Sequence, residues 1–270
     1  KKQLISWFLL YRKGGCVLFS LGLTSVTFRH LDFRQIPACC AQAGLSCIEW
    51  GGDVHVPPAT PDRAVQAARL TAAAGLRVSS YGSYYRCGET DDAQAAFAPH
   101  LEAARRLGAP VIRLWAGSRG SSDADSVYFR QIVEETRALC RMAAKENITL
   151  AFEYHPHTLT DHADAAVRLA ESVGMTNCGL YFQVDPTLSA QENRRALRRL
   201  LPFLKKVHVY HCDPAFRRLS LGESGGPELW RALLAELETA SVCTDLLFEF
   251  LKDPTPEGLF REAELLRSLL

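Results

Sequence analysis

The feature that most limits how this chain can fold is an alternation repeated eight times, in which a short β-rich run breaks at a loop and a longer amphipathic run follows. The β-rich runs are Val17–Leu23, Leu45–Trp50, Leu76–Tyr81, Val111–Trp115, Ile148–Tyr154, Cys178–Gln183, Lys206–Tyr210 and Asp245–Phe250. Helical periodicity covers Asp32–Ala43, Pro61–Ala74, Asp91–Leu107, a stretch from the Gly117–Ser122 loop to about Glu146, Asp161–Val173, Ala190–Leu201, Pro227–Leu237 and Pro256–Leu270. The punctuation agrees with this division. Pro61 stands in a first turn, where its missing N–H costs nothing, and Gly44, Gly75, Gly108 and Gly174 follow helical runs. Strands separated by helices pair in parallel through right-handed crossovers. Eight such units in 270 residues fit a closed (β/α)8 TIM barrel of one domain over residues 16–270 better than an open, doubly wound sheet. The first loop also lacks the GxGxxG of a dinucleotide fold, since residues 20–25 read SLGLTS.

Composition narrows the partners. A net charge of +1 and a pI near 7.7 give no broad field for nucleic acid or an anionic membrane. Nine cysteines at irregular spacings, with no CxxC pair, point to reduced thiols and a cytoplasmic protein rather than a disulfide frame. Residues 1–15 carry Lys1-Lys2 and an apolar run that Arg12-Lys13 interrupts. They read as an upstream extension or an expression remnant without function, too short in apolar length to span a bilayer.

In a barrel of this kind chemistry sits where strands run into the following loops. Those positions carry Glu49, Asp53 and His55 after the second run, Arg113 and Trp115 at the fourth, and Glu153, His155 and His157 at the fifth. The sixth offers Gln183 and Asp185, the seventh His208, His211 and Arg217, and the eighth Glu249. Two carboxylates, an imidazole and an amide or third carboxylate suit a divalent ion such as Mn, Mg, Co or Zn. Glu153, Glu249 and one histidine of the seventh run are the first ligands expected. A carboxylate between Phe248 and Phe250 would be costly to bury without a partner.

These positions resemble the xylose isomerase-like TIM-barrel superfamily, which includes sugar and sugar-phosphate isomerases and epimerases, inosose dehydratase and endonuclease IV. The likeness covers about residues 17–268 and rests on Glu153, the His208-Val-Tyr-His211 run and Glu249. The segments Ile48–Pro57 (IEWGGDVHVP), Ile112–Gly117 (IRLWAG) and Phe152–His155 (FEYH) look like its sugar phosphate isomerase/epimerase branch. The resemblance implies metal ligands of Glu, Asp, His and Glu type on the fifth to eighth strands. Glu153 and Glu249 carry over, whereas Gln183 stands where an Asp is expected and Asp185 follows two residues later. His208 is the expected ligand on the seventh strand and His211 a pocket residue, with the opposite assignment open.

The implied reaction is isomerisation or epimerisation of a sugar or sugar phosphate. A proton next to a carbonyl is removed, and Glu153 and Glu249 act as acid and base through an enediolate. His55, Arg113, His155 and Arg217 would hold hydroxyls or a phosphate, with pairing to a local carboxylate equally open for the two arginines. Glu49 is a substrate contact or an ion-pair partner inside the barrel, and Trp115 a pocket wall. The arginines at 194, 195, 198 and 199 read as a solvated helix face. Inosose-type dehydration at the same site and a non-catalytic ligand-binding barrel, which Gln183 keeps open, are the alternatives. An endonuclease IV-type nuclease ranks below both, because the near-neutral charge offers no DNA-facing surface. A homodimer is the assembly in view.

Overall fold

Eight parallel strands close on themselves in the computed structural model, which describes residues 11–13 and 16–270. They are β1 (Cys16–Thr24), β2 (Cys47–Gly51), β3 (Arg77–Arg86), β4 (Val111–Trp115), β5 (Thr149–Glu153), β6 (Cys178–Phe182), β7 (Leu204–Val209) and β8 (Thr244–Phe248). Each pairs with its successor, and β1 closes the ring by pairing in parallel with both β8 (Leu21↔Leu246) and β2 (Leu23↔Ile48). The helices are α1 (Ile36–Gln42), α2 (Pro61–Ala73), α3 (Ala93–Leu107), α4 (Ser126–Ala144), α5 (Ala163–Val173), α6 (Ala190–Leu200), α7 (Gly226–Thr239) and α8 (Pro256–Leu269). Tyr11–Lys13 pairs antiparallel with β1, so part of the segment read as an extension joins the sheet; residues 1–10, 14 and 15 lie outside the described residues.

Polar residues at the helix starts account for several boundaries. Asp92 and Asp125 accept backbone N–H bonds at the starts of α3 and α4, and Ser189 forms a capping box with Glu192 ahead of α6. Asp125, in the stretch after the Gly/Ser loop, is therefore a helix cap. Two turns differ from expectation. Helix α1 starts at Ile36, because Asp32 accepts from the Arg34 backbone and side chain and turns the chain before the helix. The arginine-rich face of α6 is only partly solvated, since Arg194 and Arg198 both ion-pair with the buried Glu236 of α7.

Two cores result from the period-two alternation of strands. Residues facing out, such as Ile48, Ile112, Phe152 and Phe182, pack with the helices in one large cluster. Residues facing in form a separate small layer of Cys47, Val111, Ala151, Tyr181 and Leu247 across the barrel interior. Gly22 belongs to that crowded interior: a Cβ there would lie 2.5 Å from Cys47 Sγ and 2.8 Å from Leu247 Cδ2. Gly22→Ala should therefore cost about 1–3 kcal/mol by overpacking, read as a lower urea midpoint with an unchanged slope. A midpoint equal to wild type would show that the layer can yield.

Below this layer, at the strands' N-terminal end, Asp245 accepts from Ser79 at 2.6 Å and from Arg77 Nη1 at 2.9 Å, and pairs with the buried Lys206. Above it, two residues further along the strands, the same inward face carries Glu49, Arg113, Glu153, Gln183 and Glu249.

Candidate active site

The charged layer lies at the C-terminal end of the barrel, where the fold class places its chemistry. Glu49, Arg113, Glu153, His208 and Glu249 are all almost fully buried. One atom organises them. His208 Nδ1 lies 3.3 Å from Glu249 Oε2, 3.4 Å from Gln183 Oε1 and 3.5 Å from Glu153 Oε1. On the other side of the ring, Nε2 is 3.3 Å from Glu49 Oε1. Glu49 is fixed in turn by Ser80 Oγ at 2.7 Å and Tyr181 Oη at 2.9 Å, both donating to Oε2.

Arg113 enters the cluster from β4. Its Nη1 is 2.9 Å from Glu153 Oε1 and 4.0 Å from Glu249 Oε1, and its Nε is 3.9 Å from Glu49 Oε1. The Trp115 indole N–H donates to the other Glu153 oxygen, Oε2. His155 stacks on the Trp115 ring, centroids 4.9 Å apart, and the Arg86 guanidinium lies 4.0 Å from the ring centroid.

Burial alone would raise the carboxyl pKa values, but the local charges outweigh it. Burial pushes Glu49 up, yet Arg113 and His208 bring it down to about 2. The same opposition holds Glu153 far below the usual carboxylate range. Burial disfavours the charged form of His208, while Glu249, Glu153 and Glu49 together raise its pKa well above the ordinary value. Arg113 is likewise raised, burial being overcome by the three carboxylates.

The donors fit a divalent cation. Bonds of about 2.0–2.2 Å hold neighbouring ligand atoms roughly 3.0–3.5 Å apart, and the three oxygens stand at such distances from His208 Nδ1. A single N–H cannot serve three acceptors, and Glu249 Oε2 is buried with no hydrogen-bond partner among the described residues. Charge agrees as well. With His208 neutral as a ligand, three buried carboxylates against one guanidinium leave two negative charges, so the neutral Gln183 does not leave the cluster short of charge for a divalent ion. Glu49, behind Nε2, is placed to orient the imidazole as an outer carboxylate does.

A cavity of about 500 Å³ opens onto this cluster, and Gln183, Arg113, Trp115, His155, Glu153 and Glu249 line it. Asp185 also reaches its wall, but accepts from Thr187 and stands apart from the cluster. The structure does not bring the remaining expected residues to this cavity. His211 Nε2 donates to the Ser224 carbonyl at 3.2 Å and borders a different hollow. His55 is buried between Ser25 Oγ and Leu31 O. Arg217 is exposed and paired with Asp213. Glu49 lies beneath the cluster, within the barrel.

Several wall residues were not anticipated: Arg29, Tyr210, Phe216, Arg218 and Phe250. Tyr210 shares the parity of His208, and that signal was available. Arg218 and Phe216 face the cavity because a two-residue strand, His211–Cys212, pairs with Arg218–Leu219, a local hairpin without hydrophobic periodicity to announce it.

Comparison with known proteins places this architecture. The 3-dehydroshikimate dehydratase of Bacillus anthracis is 33% identical over 112 residues, a segment covering 38% of this chain and 38% of that protein. Among solved structures, the probable 3-DHS dehydratase of Bacillus anthracis involved in petrobactin synthesis superposes with a TM-score of 0.74 at 17% identity, covering 92% of this chain and 98% of that one. D-allulose 3-epimerase from Methylomonas sp. gives a TM-score of 0.75 at 14% identity, over 94% of this chain and 98% of that one. The family described as xylose isomerase-like TIM barrel matches residues 37–269, and the chain belongs to that family.

Proposed function

We propose that the protein is a divalent-metal-dependent enzyme that removes a proton next to the carbonyl of a sugar, sugar phosphate or sugar-like polyol, in the isomerase/epimerase class. The observation that carries this reading is the convergence of Glu153, Gln183 and Glu249 oxygens on His208 Nδ1 at the floor of an open cavity. These four residues would hold the ion, which when bound supplies Lewis-acid polarisation of the substrate carbonyl. Glu249, which accepts no hydrogen bond from Arg113 or Trp115, takes the proton. Arg113 keeps Glu49 and Glu153 ionised, Trp115 and His155 form one flat wall, and the buried barrel floor excludes water.

A second reading is dehydration of a cyclic polyol through the same enediolate. The identity to a 3-dehydroshikimate dehydratase over 112 residues favours it. Epimerase neighbours support the first reading through fold alone.

Elemental analysis of the purified protein should find, or after loading retain, about one divalent ion per chain. In D2O, NMR of a ketose panel and of 3-dehydroshikimate should show deuterium entering, or water leaving, next to the carbonyl. Glu249→Gln should lower that rate about 10³-fold without unfolding the barrel. A protein that cannot be loaded with metal, in which Glu249→Gln changes nothing, would sink the reading.

A further inference from the structure

The two carboxylates flanking His208 are treated unequally by their surroundings. Glu153 has a donor on each oxygen, Arg113 Nη1 at 2.9 Å on Oε1 and the Trp115 indole N–H on Oε2. Trp115 is itself fixed, between the His155 ring on one side and the Arg86 guanidinium over its π-face. Arg86 is tied to the Gly117 carbonyl at 2.9 Å, so the clamp is anchored in the loop after β4. Glu249 has neither donor. Its Oε2 is buried with no hydrogen-bond partner among the described residues, and its Oε1 is 4.0 Å from Arg113. The chain leaves it through Phe250, which holds the left-handed φ of 50°. Strain of this kind at a cavity wall persists where the surroundings impose it.

We propose that proton transfer at this site runs through Glu249 alone, Arg113 and Trp115 being positioning residues that hold Glu153 as a fixed acceptor with both oxygens engaged. This rests on the functional reading above and sharpens it. Inverting a carbon needs a proton removed on one face and returned on the other, hence two groups that can each carry it. With one carboxylate left to carry the proton the site is built for outcomes without inversion.

In elimination, the Glu249 carboxylate takes the proton from the carbon beside the carbonyl. The C–H pair becomes a C=C bond, the β C–O bond breaks with its electrons, and the hydroxyl departs as water carrying that proton. In a carbonyl shift, the proton returns on the same face to the old carbonyl carbon, and the hydroxyl proton of the carbon that lost it passes to the old carbonyl oxygen. Neither needs an oxidant or reductant.

The test uses metal-loaded protein in D2O with 3-dehydroshikimate and a ketose panel that includes D-allulose, read by NMR for deuterium, loss of water and epimer. Wild type should show exchange or elimination with epimer formation at least about 100-fold slower, the span that one catalytic proton carrier supplies. Trp115→Phe should bind the same amount of metal and raise the epimer fraction about tenfold, since Glu153 Oε2 is then released, a change that a purely structural tryptophan would not produce. A substrate-free measurement stands beside it. In protein labelled at tryptophan nitrogen, the indole N–H absent from Trp115→Phe should exchange slowly with solvent.

An epimer rate in wild type within tenfold of deuterium exchange overturns the proposal while leaving the proton-abstraction reading intact. A Trp115 N–H that exchanges as fast as an exposed indole overturns it too. Metal-loaded wild type that neither exchanges nor dehydrates any of the substrates removes the functional reading itself, and the proposal with it.

Discussion

Arg113→Met is expected to lower the stability of the metal-free protein by about 3–5 kcal/mol, the cost of stripping a buried ion cluster of the one permanent cation that the described residues give it. Three carboxylates, Glu49, Glu153 and Glu249, would then face one another inside the barrel with only the His208 imidazolium between them. At about 2–4 °C per kcal/mol for a chain of this size, the melting temperature in chelator should fall by roughly 10 °C. The same substitution should make the protein respond more strongly to metal, because a divalent ion would offset charge that Arg113 formerly balanced. Scanning calorimetry with and without Mn²⁺ reads both effects. A metal-free melting temperature within about 1 °C of wild type would mean that Arg113 does not balance the cluster.

What makes Arg113 central could be read from the sequence only in part. Its place at a strand end was visible, and so was its parity with Trp115. At the level of sequence, a substrate hydroxyl or phosphate and a local carboxylate were equally open to it, and the partners themselves were out of reach, because ion pairing across a barrel joins strands far apart in the chain. Arg113 and Glu249 are separated by 136 positions and meet only when β8 closes against β1.

The same distinction sorts the other residues. Eight strands, their helices and the inward parity of Glu153 and Glu249 follow from local periodicity, which depends on near neighbours. Strand-end counting also named His55, His211 and Arg217, but it treats every polar residue past a strand as facing the mouth. Short-range bonds decide otherwise. Ser25 and Leu31 hold His55 inside the β1 loop, Ser224 takes His211, and Asp213 takes Arg217. Each of these partners lies outside the strands and α-helices of the barrel, where no repeat signals the turn.

The opposite end of the barrel should show its own pH dependence. Burial raises the Asp245 carboxyl, but Arg77 and Lys206 outweigh it and bring the group from 3.8 down to about 2. A carboxylate depressed on folding contributes stability that is present above its unfolded pKa and lost as pH falls through the folded one. For Asp245 the window runs from about pH 4 to about pH 2, and a shift of nearly two pKa units corresponds to about 2–3 kcal/mol.

Asp245→Asn isolates this group from the other buried carboxylates. The stability difference between wild type and variant, from urea unfolding, should be about 3 kcal/mol and flat between pH 5 and 7. It should shrink by most of that amount between pH 4 and 2. Asp245 lies on the N-terminal side of the apolar layer of Cys47, Val111, Ala151, Tyr181 and Leu247, and the proposed site lies on the other. Metal content and proton exchange in the variant should therefore match wild type at neutral pH. A difference that stays constant down to pH 2 would show that Asp245 is not ionised against Lys206 and Arg77. Lost metal binding at neutral pH would show that the apolar layer does not insulate one end of the barrel from the other.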